Sequence, residues 1–316
     1  METLRAASAE WKRLWDRGKG KQQTTREKTK RNKKQRRTKR ETTQQYIKRV
    51  YQQQNLHQDN IDVTDVEAFG DIQEEKKEQV FRIGLQNISN LSEDRRTSKS
   101  RQLIDHIVAK QYDAFLMTEV GLCWRKMSVM DQWYERVLGK FRTCRSIFAY
   151  NVNELDKTAV LQPGGVGMVA TDDAAHRVME RGKDPSDLGR WTWMRFQGRN
   201  TAKIRLICGY RPCESIGAST VNQQHRRYFL RHGKTISPRD AFYEDLYVEC
   251  IQWLAAGDHI ILALDANEDV RLGDTAEFAQ ALGLRECILD RHEGISPPAT
   301  HNRNNQRQPI DGIFVS

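Results

Sequence analysis

Polar side chains that can bind a metal ion or a phosphate follow apolar runs at four places in this sequence. The clearest is ILALDANEDV, residues 261–270, in which four apolar residues lead directly into Asp265 and Asn267. A carboxylate at the end of a buried strand is costly unless it has a partner or a task. The other three are Asn87 in IGLQNIS, Glu119 in FLMTEVG and Asp311 in RQPIDGIF.

These residue types suit the hydrolysis of a phosphodiester. Mg²⁺ takes oxygen ligands, typically one or two carboxylates beside waters and phosphate oxygens, and Glu119 suits that role. Asp265 would orient or deprotonate the attacking water. Asn87 and Asn267 would donate amide hydrogens to phosphate oxygens without adding negative charge. Structural interpretations remain open for the same residues: a turn start at Asn87, a loop cap at Glu119 and a hairpin dipeptide at Asp311.

The elements that would position these side chains begin at residue 80, where strands and helices alternate. Apolar residues at period two, or in short continuous runs, predict strands, and helical spacing predicts helices. The predicted strands are 80–88, 112–120, 164–170, 191–197, 203–210, 259–268 and 308–316, and the predicted helices are 100–111, 237–257 and 275–284. Mixed parallel and antiparallel signals with interspersed helices favour a layered α/β or α+β domain.

The first 79 residues form a different kind of sequence, a basic arm and linker. Residues 1–50 hold 18 Lys and Arg against 5 Asp and Glu, whereas the whole chain has a net charge of +10. The run KRNKKQRRTKR (30–40) cannot bury enough apolar surface to fold alone, so we expect it to be disordered or transiently helical. Its cations suit phosphate binding, nuclear import or only solubility; the candidate nucleic-acid contacts are Lys33, Lys34, Arg36 and Arg37.

A second basic segment, HRRYFLRHGK (225–234), contains Arg226 and Arg227. It would follow a nucleic-acid backbone, with Tyr228 or Phe229 stacking on a base, or it is a solvent-facing loop. Arg211, in the segment GYRP, is a further candidate contact.

The cysteines and the apolar runs place the chain inside the cell. The six cysteines lie far apart and form no CxxC pair, which favours free thiols in a reducing compartment over a zinc site. No amino-terminal run resembles a signal peptide, and no apolar stretch approaches the roughly 20 residues of a membrane span. We therefore expect a soluble intracellular protein, with the basic run as a candidate nuclear signal.

The motifs in their order resemble the endonuclease/exonuclease/phosphatase superfamily. Strand-end Asn87 and Glu119 are followed by GGVG, GYRP, LDANE and PIDGIFVS, over residues 80–316. That superfamily includes deoxyribonuclease I, the exonuclease III-like apurinic endonucleases and the endonucleases of non-LTR retrotransposons. The resemblance implies an α+β fold, a four-layered α/β/β/α sandwich of two packed mixed sheets, and hydrolysis that depends on Mg²⁺ or Mn²⁺.

The resemblance also implies a role for each matching residue. Asn87 and Glu119 resemble the residues at the metal, and Tyr210 resembles a tyrosine that contacts the scissile phosphate. Asp265 and Asn267 match an Asp-x-Asn pair that activates water and contacts phosphate. Asp311 resembles an aspartate that orients a catalytic histidine.

That histidine is the main departure from the family pattern. In the family it lies in a Ser-Asp-His segment beyond the strand of Asp311, whereas all eight histidines of this chain precede Asp311. We interpret His301 as a loop residue. Loss of such a group costs on the order of 10²–10⁴ in rate, so we expect a truncated chain with little activity of its own.

Three functional hypotheses follow from these observations. The first is a Mg²⁺-dependent DNA endonuclease of retroelement type, impaired by truncation. The second is a non-catalytic nucleic-acid-binding remnant of such an enzyme, and the third is a phosphatase acting on inositol or lipid phosphates.

Overall fold

The computed structural model describes residues 75–91, 99–122, 127–154, 162–292, 299–301 and 308–316. All of them belong to one unit, residues 73–316. Residues 1–74, which make up most of the arm predicted over residues 1–79, lie outside the described residues. The predicted nucleic-acid contacts in that arm therefore stay predictions: Lys33, Lys34, Arg36 and Arg37.

The first sheet has four strands in the order β1-β2-β4-β3. They are β1 (Ile83–Asn87), β2 (Ala114–Thr118), β3 (Cys144–Ala149) and β4 (Val166–Thr171). The β1 and β2 strands are parallel, and the other pairs are antiparallel.

The second sheet has six strands in the order β5-β6-β7-β8-β10-β9. They are β5 (Val178–Lys183), β6 (Trp191–Gln197), β7 (Lys203–Tyr210), β8 (Asp258–Asp265), β9 (Arg285–Glu286) and β10 (Asp311–Val315). Only β7 and β8 are parallel among the strand pairs described in this sheet.

The described helices connect these strands. They are α1 (Lys99–Ala109), α2 (Met127–Leu138), α3 (Asp172–His176), α4 (Val221–Arg231), α5 (Pro238–Ala255), α6 (Gly273–Ala281) and α7 (Cys287–Arg291). A short 3₁₀ turn covers Val152–Glu154. Within this described part of the chain, no helix is both long enough and apolar enough to cross a membrane.

The sheets pack face to face, with helices on both outer faces. Alternate residues of each strand point inward, so that Leu116 and Met168 of the first sheet pack with Leu206 of the second in one buried cluster. The opposite face of the first sheet packs on α1 and α2. On the outer face of the second sheet, the Trp191 ring meets the edge of Phe242 in α5. The predicted four-layered α+β sandwich is therefore confirmed.

One segment predicted as a loop or extended insert is a helix, and six further helices and strands were not predicted. Helix α4 replaces the expected loop at 225–234. The elements that lack a predicted counterpart are α2, α3, α7, β3, β5 and β9. The α4 pattern escaped detection because its buried face is largely polar: Asn222, Gln224 and His225 are buried beside Phe229. Apolar periodicity is the main helix signal in a sequence, and it is weak here.

Candidate catalytic site

The polar residues at the strand ends meet at one edge of the sandwich. In the first sheet Asn87 is directly opposite Thr118. In the second sheet Asp265 is directly opposite both Tyr210 and Asp311. Two hydrogen bonds join the sheets at Asp265: Asn87 Nδ2 donates to Asp265 Oδ2 at 2.9 Å, and Thr118 Oγ1 donates to the same oxygen at 3.2 Å. Residues far apart in sequence thus form one cluster.

Asp265 is the most constrained member of this cluster. It is 1% exposed. Its Oδ2 is held by two donors, and its Oδ1 is buried with no hydrogen-bond partner. Burial, and then the negative charge of Asp311, raises the pKa of Asp265 from 3.8 to about 7, although the hydrogen bonds from Asn87 and Thr118 oppose the shift. An unpartnered buried carboxylate oxygen is costly to leave unsatisfied, so it marks a position where water or a ligand would bind.

We expect the raised pKa of Asp265 to appear as a pH-dependent loss of stability in the metal-free protein. Between about pH 4 and pH 7, the Asp265 carboxyl is ionised in the unfolded state but still protonated in the native state. The free energy of unfolding therefore falls as the pH rises. The Asp265→Asn variant lacks this titration. In urea unfolding with EDTA, the free energy of unfolding of the variant minus that of wild type should therefore increase by on the order of 3–5 kcal/mol between pH 4 and pH 8.

The exposed carboxylate of Asp173 provides the matched control for this measurement. Asp173→Asn, which removes an exposed carboxylate of α3, gives the reference profile for the loss of one negative charge. A profile for Asp265→Asn that runs parallel to that of Asp173→Asn would contradict the raised pKa of Asp265.

Glu119 and Tyr210 form the second part of the site. The Tyr210 hydroxyl donates to Glu119 Oε1 at 3.2 Å. Burial, and then the charge of Glu119, raises the pKa of Tyr210, which therefore stays protonated and keeps donating. Glu119 has a positive φ of 51°, which a glutamate adopts only at a cost in free energy. Glu119 directly follows β2, and in this backbone conformation its carboxylate reaches the Tyr210 hydroxyl.

Asp311 lies on the other side of Asp265. Thr300 Oγ1 accepts hydrogen bonds from the Ile310 and Asp311 amides at 3.0 and 3.1 Å. Burial raises the pKa of Asp311, whereas Thr300 and a positive charge on His301 lower it. His301, interpreted from sequence as a loop residue, forms an isolated bridge with Gln308.

Asn267 lies at the site edge with part of its amide engaged. Its Nδ2 donates to the Arg211 carbonyl at 2.9 Å, and its φ is +50°. This bond fixes the loop after β8 against the loop after β7. Its predicted phosphate contact stays a prediction.

Arg211 differs from its predicted role as a nucleic-acid contact. The residue is 1% exposed. Its guanidinium is paired with Glu268 and with Asp274, the latter at 2.6 Å. An arginine that is desolvated and neutralised by two carboxylates has little left for an external phosphate. Arg211 instead anchors the start of α6 beside the site.

The basic segment 225–234 is also only partly as predicted. Arg226 and Arg227 are exposed on α4, and Arg227 Nη1 donates to the Ala218 carbonyl at 2.8 Å. Phe229 is buried in a small apolar cluster and cannot stack on a base. The Tyr228 ring lies 4.2 Å from the His232 ring. Arg226 and Arg227 remain candidate nucleic-acid contacts, whereas Phe229 is not one.

Thr118 is the site residue that the sequence did not reveal. It is buried at the end of β2, and its hydroxyl reaches Asp265 across the two sheets. The only signal was a polar residue in the run AFLMT. Threonine is common in strands for packing reasons, so that signal did not indicate a site.

The donor atoms of this cluster suit a hard divalent cation. Among the described residues, no three His, Cys, Asp or Glu side chains cluster as a metal cage. Mg²⁺ needs no such cage, because one or two carboxylates suffice when waters and phosphate oxygens complete the shell. Glu119 supplies a carboxylate, and the Asn87 amide is oriented because its Oδ1 accepts from the Ser89 amide at 3.0 Å. The residues therefore fit Mg²⁺ or Mn²⁺ by their oxygen donors.

Comparisons with known proteins find similarity in solved structures. No protein-family model matches the chain, and no curated protein sequence is similar to it. The catalytic domain of human Nocturnin with bound sulfate is 16% identical, with 70% of this chain and 76% of that chain covered and a TM-score of 0.46. An endonuclease/exonuclease/phosphatase family protein from Leptotrichia buccalis is 15% identical, with 75% and 87% covered and a TM-score of 0.47.

A third similar structure is the 3′ phosphatase NExo from Neisseria bound to a product DNA hairpin. It is 13% identical, with 75% of this chain and 87% of that chain covered and a TM-score of 0.46. Similar solved structures thus include members of the superfamily that the sequence motifs resemble.

Proposed function

We propose that this chain is a Mg²⁺-dependent phosphodiester hydrolase that acts on nucleic acid, specifically a DNA endonuclease of retroelement type. One observation supports this most: Asp265 is buried at a strand end, with one oxygen fixed by Asn87 and Thr118 and the other unpartnered. That arrangement suits a general base which holds one water in a fixed orientation.

Asp265 would act through its Oδ1. This atom accepts the proton of a water whose oxygen forms the new bond to phosphorus. The opposite P–O bond breaks, and the leaving oxygen takes up a proton from solvent. Asn87 and Thr118 hold the carboxylate in place through its Oδ2, so little rotational freedom is lost in the reaction.

Glu119 and Tyr210 would serve the substrate phosphate. Glu119 and Asn87 would hold Mg²⁺ or Mn²⁺. When bound, such an ion neutralises phosphate charge and stabilises the leaving oxygen. The Tyr210 hydroxyl keeps the Glu119 carboxylate oriented through its hydrogen bond. Asn267 would donate an amide hydrogen to a phosphate oxygen, and Asp311 would orient a proton-carrying group beside Asp265.

Nucleic acid is the proposed partner because exposed arginines of the described part of the chain suit contact with a phosphate backbone. Arg226 and Arg227 are exposed on α4. The basic run 30–40, with Lys33, Lys34, Arg36 and Arg37, would add a sequence-independent and salt-sensitive attraction. The same run would direct an intracellular protein to the nucleus.

Nicking of supercoiled plasmid DNA tests this proposal. We expect nicking with Mg²⁺ and none with EDTA. Glu119→Ala should abolish nicking, because it removes the proposed metal carboxylate. The matched control is Glu180→Ala, which removes a half-exposed glutamate paired with Arg195 on the edge strand β5 and should leave nicking intact.

Other outcomes would identify the alternatives. Salt-sensitive DNA binding without cleavage, lost on deletion of residues 19–49, would indicate a non-catalytic binding protein. Turnover of a phosphoinositide but not of DNA would indicate a phosphatase. Equal nicking by Glu119→Ala and wild type would rule out the proposed metal site.

A further inference from the structure

A cleft opens at the side of the sandwich, outside the cluster around Asp265. It has a volume of about 430 Å³ and lies at β3 and β5, the edge strands of the two sheets. Four aromatic residues and two cations line most of it: Trp133, Tyr134, Phe148, Tyr150, Arg181 and Lys183. We call it the edge cleft. No residue of the candidate catalytic site lines it.

The aromatic rings of the edge cleft form a rigid floor and an accessible wall. Trp133 is buried, its Nε1 donates to Ser146 Oγ at 3.4 Å, and its ring meets the edge of Phe148 at 5.6 Å. The neighbouring Tyr134 is 39% exposed. Exposed aromatic surface over a fixed aromatic floor suits a flat apolar group such as a nucleobase.

The cations of the edge cleft suit a phosphate beside that base. Arg181 Nη1 donates to the Ser146 carbonyl at 2.7 Å, which holds its charged guanidinium at the cleft. Lys183 is paired with Asp187, and both side chains are more than two-fifths exposed. Exposed pairs of this kind contribute little stability, so a phosphate can compete for Lys183 at small cost. Aromatic surface interleaved with positive charge is the usual surface for single-stranded nucleic acid.

The edge cleft is level with the catalytic cluster along the strands. Ala149, next to Tyr150, is aligned through Val166 with Thr118. On the other sheet, Lys183 is aligned through β6 and β7 with Ala263, two residues before Asp265. At about 4.8 Å between strands, β3 lies about 10 Å from β2 and β5 about 14 Å from β8.

We propose that the edge cleft binds one base of the substrate strand, with its phosphate at Arg181 and Lys183. The base would lie about three to four nucleotides from the scissile phosphate, because a stacked strand rises 3.4 Å per nucleotide. This inference rests on the proposed function, since it assigns the same enzyme a subsite for nucleic acid. It predicts that hydrolysis depends on substrate length and on one particular distant base.

Paired variants test the edge cleft, with a single-stranded oligodeoxynucleotide of about 10 nucleotides as substrate. Base–aromatic stacking is worth about 1–3 kcal/mol. Tyr134→Ala should therefore lower kcat/KM for this strand about 5–150-fold, relative to kcat/KM for bis(p-nitrophenyl) phosphate. Lys183→Ala should do the same to a smaller extent and reduce the salt dependence of binding.

The chain offers a matched control for each variant. Leu138→Ala removes another exposed apolar side chain of α2, and Lys140→Ala removes an exposed lysine paired with Asp105. Both control variants should have the same kcat/KM for the oligodeoxynucleotide as wild type. A series of strands with one abasic residue at successive positions should show a single sensitive position, about three to four nucleotides from the cut.

Binding separates a failure of this inference from a failure of the proposed function. Anisotropy of a labelled strand, in an Asp265→Asn background that prevents cleavage, should show the same loss of affinity for Tyr134→Ala. If Tyr134→Ala and Leu138→Ala bind the strand equally, and no abasic position matters, the edge cleft is not a base subsite. If wild type hydrolyses neither substrate but Tyr134→Ala still loses affinity, the proposed activity fails and the cleft assignment stands.

Discussion

The Asp265→Asn variant will hydrolyse phosphodiesters about 10²–10⁴-fold more slowly than wild type, because it removes the proposed general base. Asparagine has the shape of aspartate, and its side-chain carbonyl can still accept from Asn87 and Thr118. Its amide nitrogen, at the position of the unpartnered Oδ1, cannot take a proton from water. The loss should therefore appear in kcat for plasmid nicking and for bis(p-nitrophenyl) phosphate alike.

The same substitution should leave the protein folded and more stable at alkaline pH without metal. Burial raises the pKa of Asp265, so its ionised form destabilises the native state and its amide does not. A variant that loses activity while gaining stability separates a catalytic role from a structural one. Retention of more than about one-tenth of wild-type activity would contradict the assignment of Asp265 as the base.

The second large effect is expected on stability, at the buried ion pair of Asp184 and Arg190. Both side chains are at most 1% exposed, and Arg190 Nε lies 2.7 Å from Asp184 Oδ2. Burial alone would raise the pKa of Asp184, but the Arg190 guanidinium outweighs it and lowers the pKa. Asp184→Ala removes the buried partner of the Arg190 guanidinium and leaves it only the 40% exposed carboxylate of Asp245, so the free energy of unfolding should fall by about 3–5 kcal/mol.

Asp245 supplies the matched comparison, since it pairs with the same guanidinium at 2.8 Å but is 40% exposed. Asp245→Ala should cost about 0–1 kcal/mol in urea unfolding. Equal costs for the two variants would mean that burial does not set the strength of this pair. The pair ties residue 184 to residue 190 in the loop that follows Lys183, so its loss should also loosen one side of the edge cleft.

The α4 helix and Arg211 show where local pattern is a poor guide. Both were assigned to the surface because charged and polar residues are usually solvated. In the structure, the polar residues of α4 bind the preceding loop: Gln223 Nε2 donates to the Ser215 carbonyl at 2.8 Å, and Gln224 Nε2 donates to the Ser219 carbonyl at 2.9 Å. A polar side chain can be buried when a backbone group or a carboxylate distant in sequence forms a hydrogen bond with it. The spacing of apolar residues along the sequence does not show such partners.

The sequence by itself determined the alternation of strands and helices, the two-residue period that assigns each strand an inner face, and the polar residues at the strand ends. These features are local, because side-chain direction along a strand depends only on backbone geometry. The tertiary structure alone decided that Asn87 and Thr118 hold one oxygen of Asp265, that its other oxygen is left unpartnered, and that Arg211 is neutralised. Those outcomes depend on contacts across as many as 178 residues of sequence, between sheets whose packing sets both the distances and the burial that raises the pKa of Asp265.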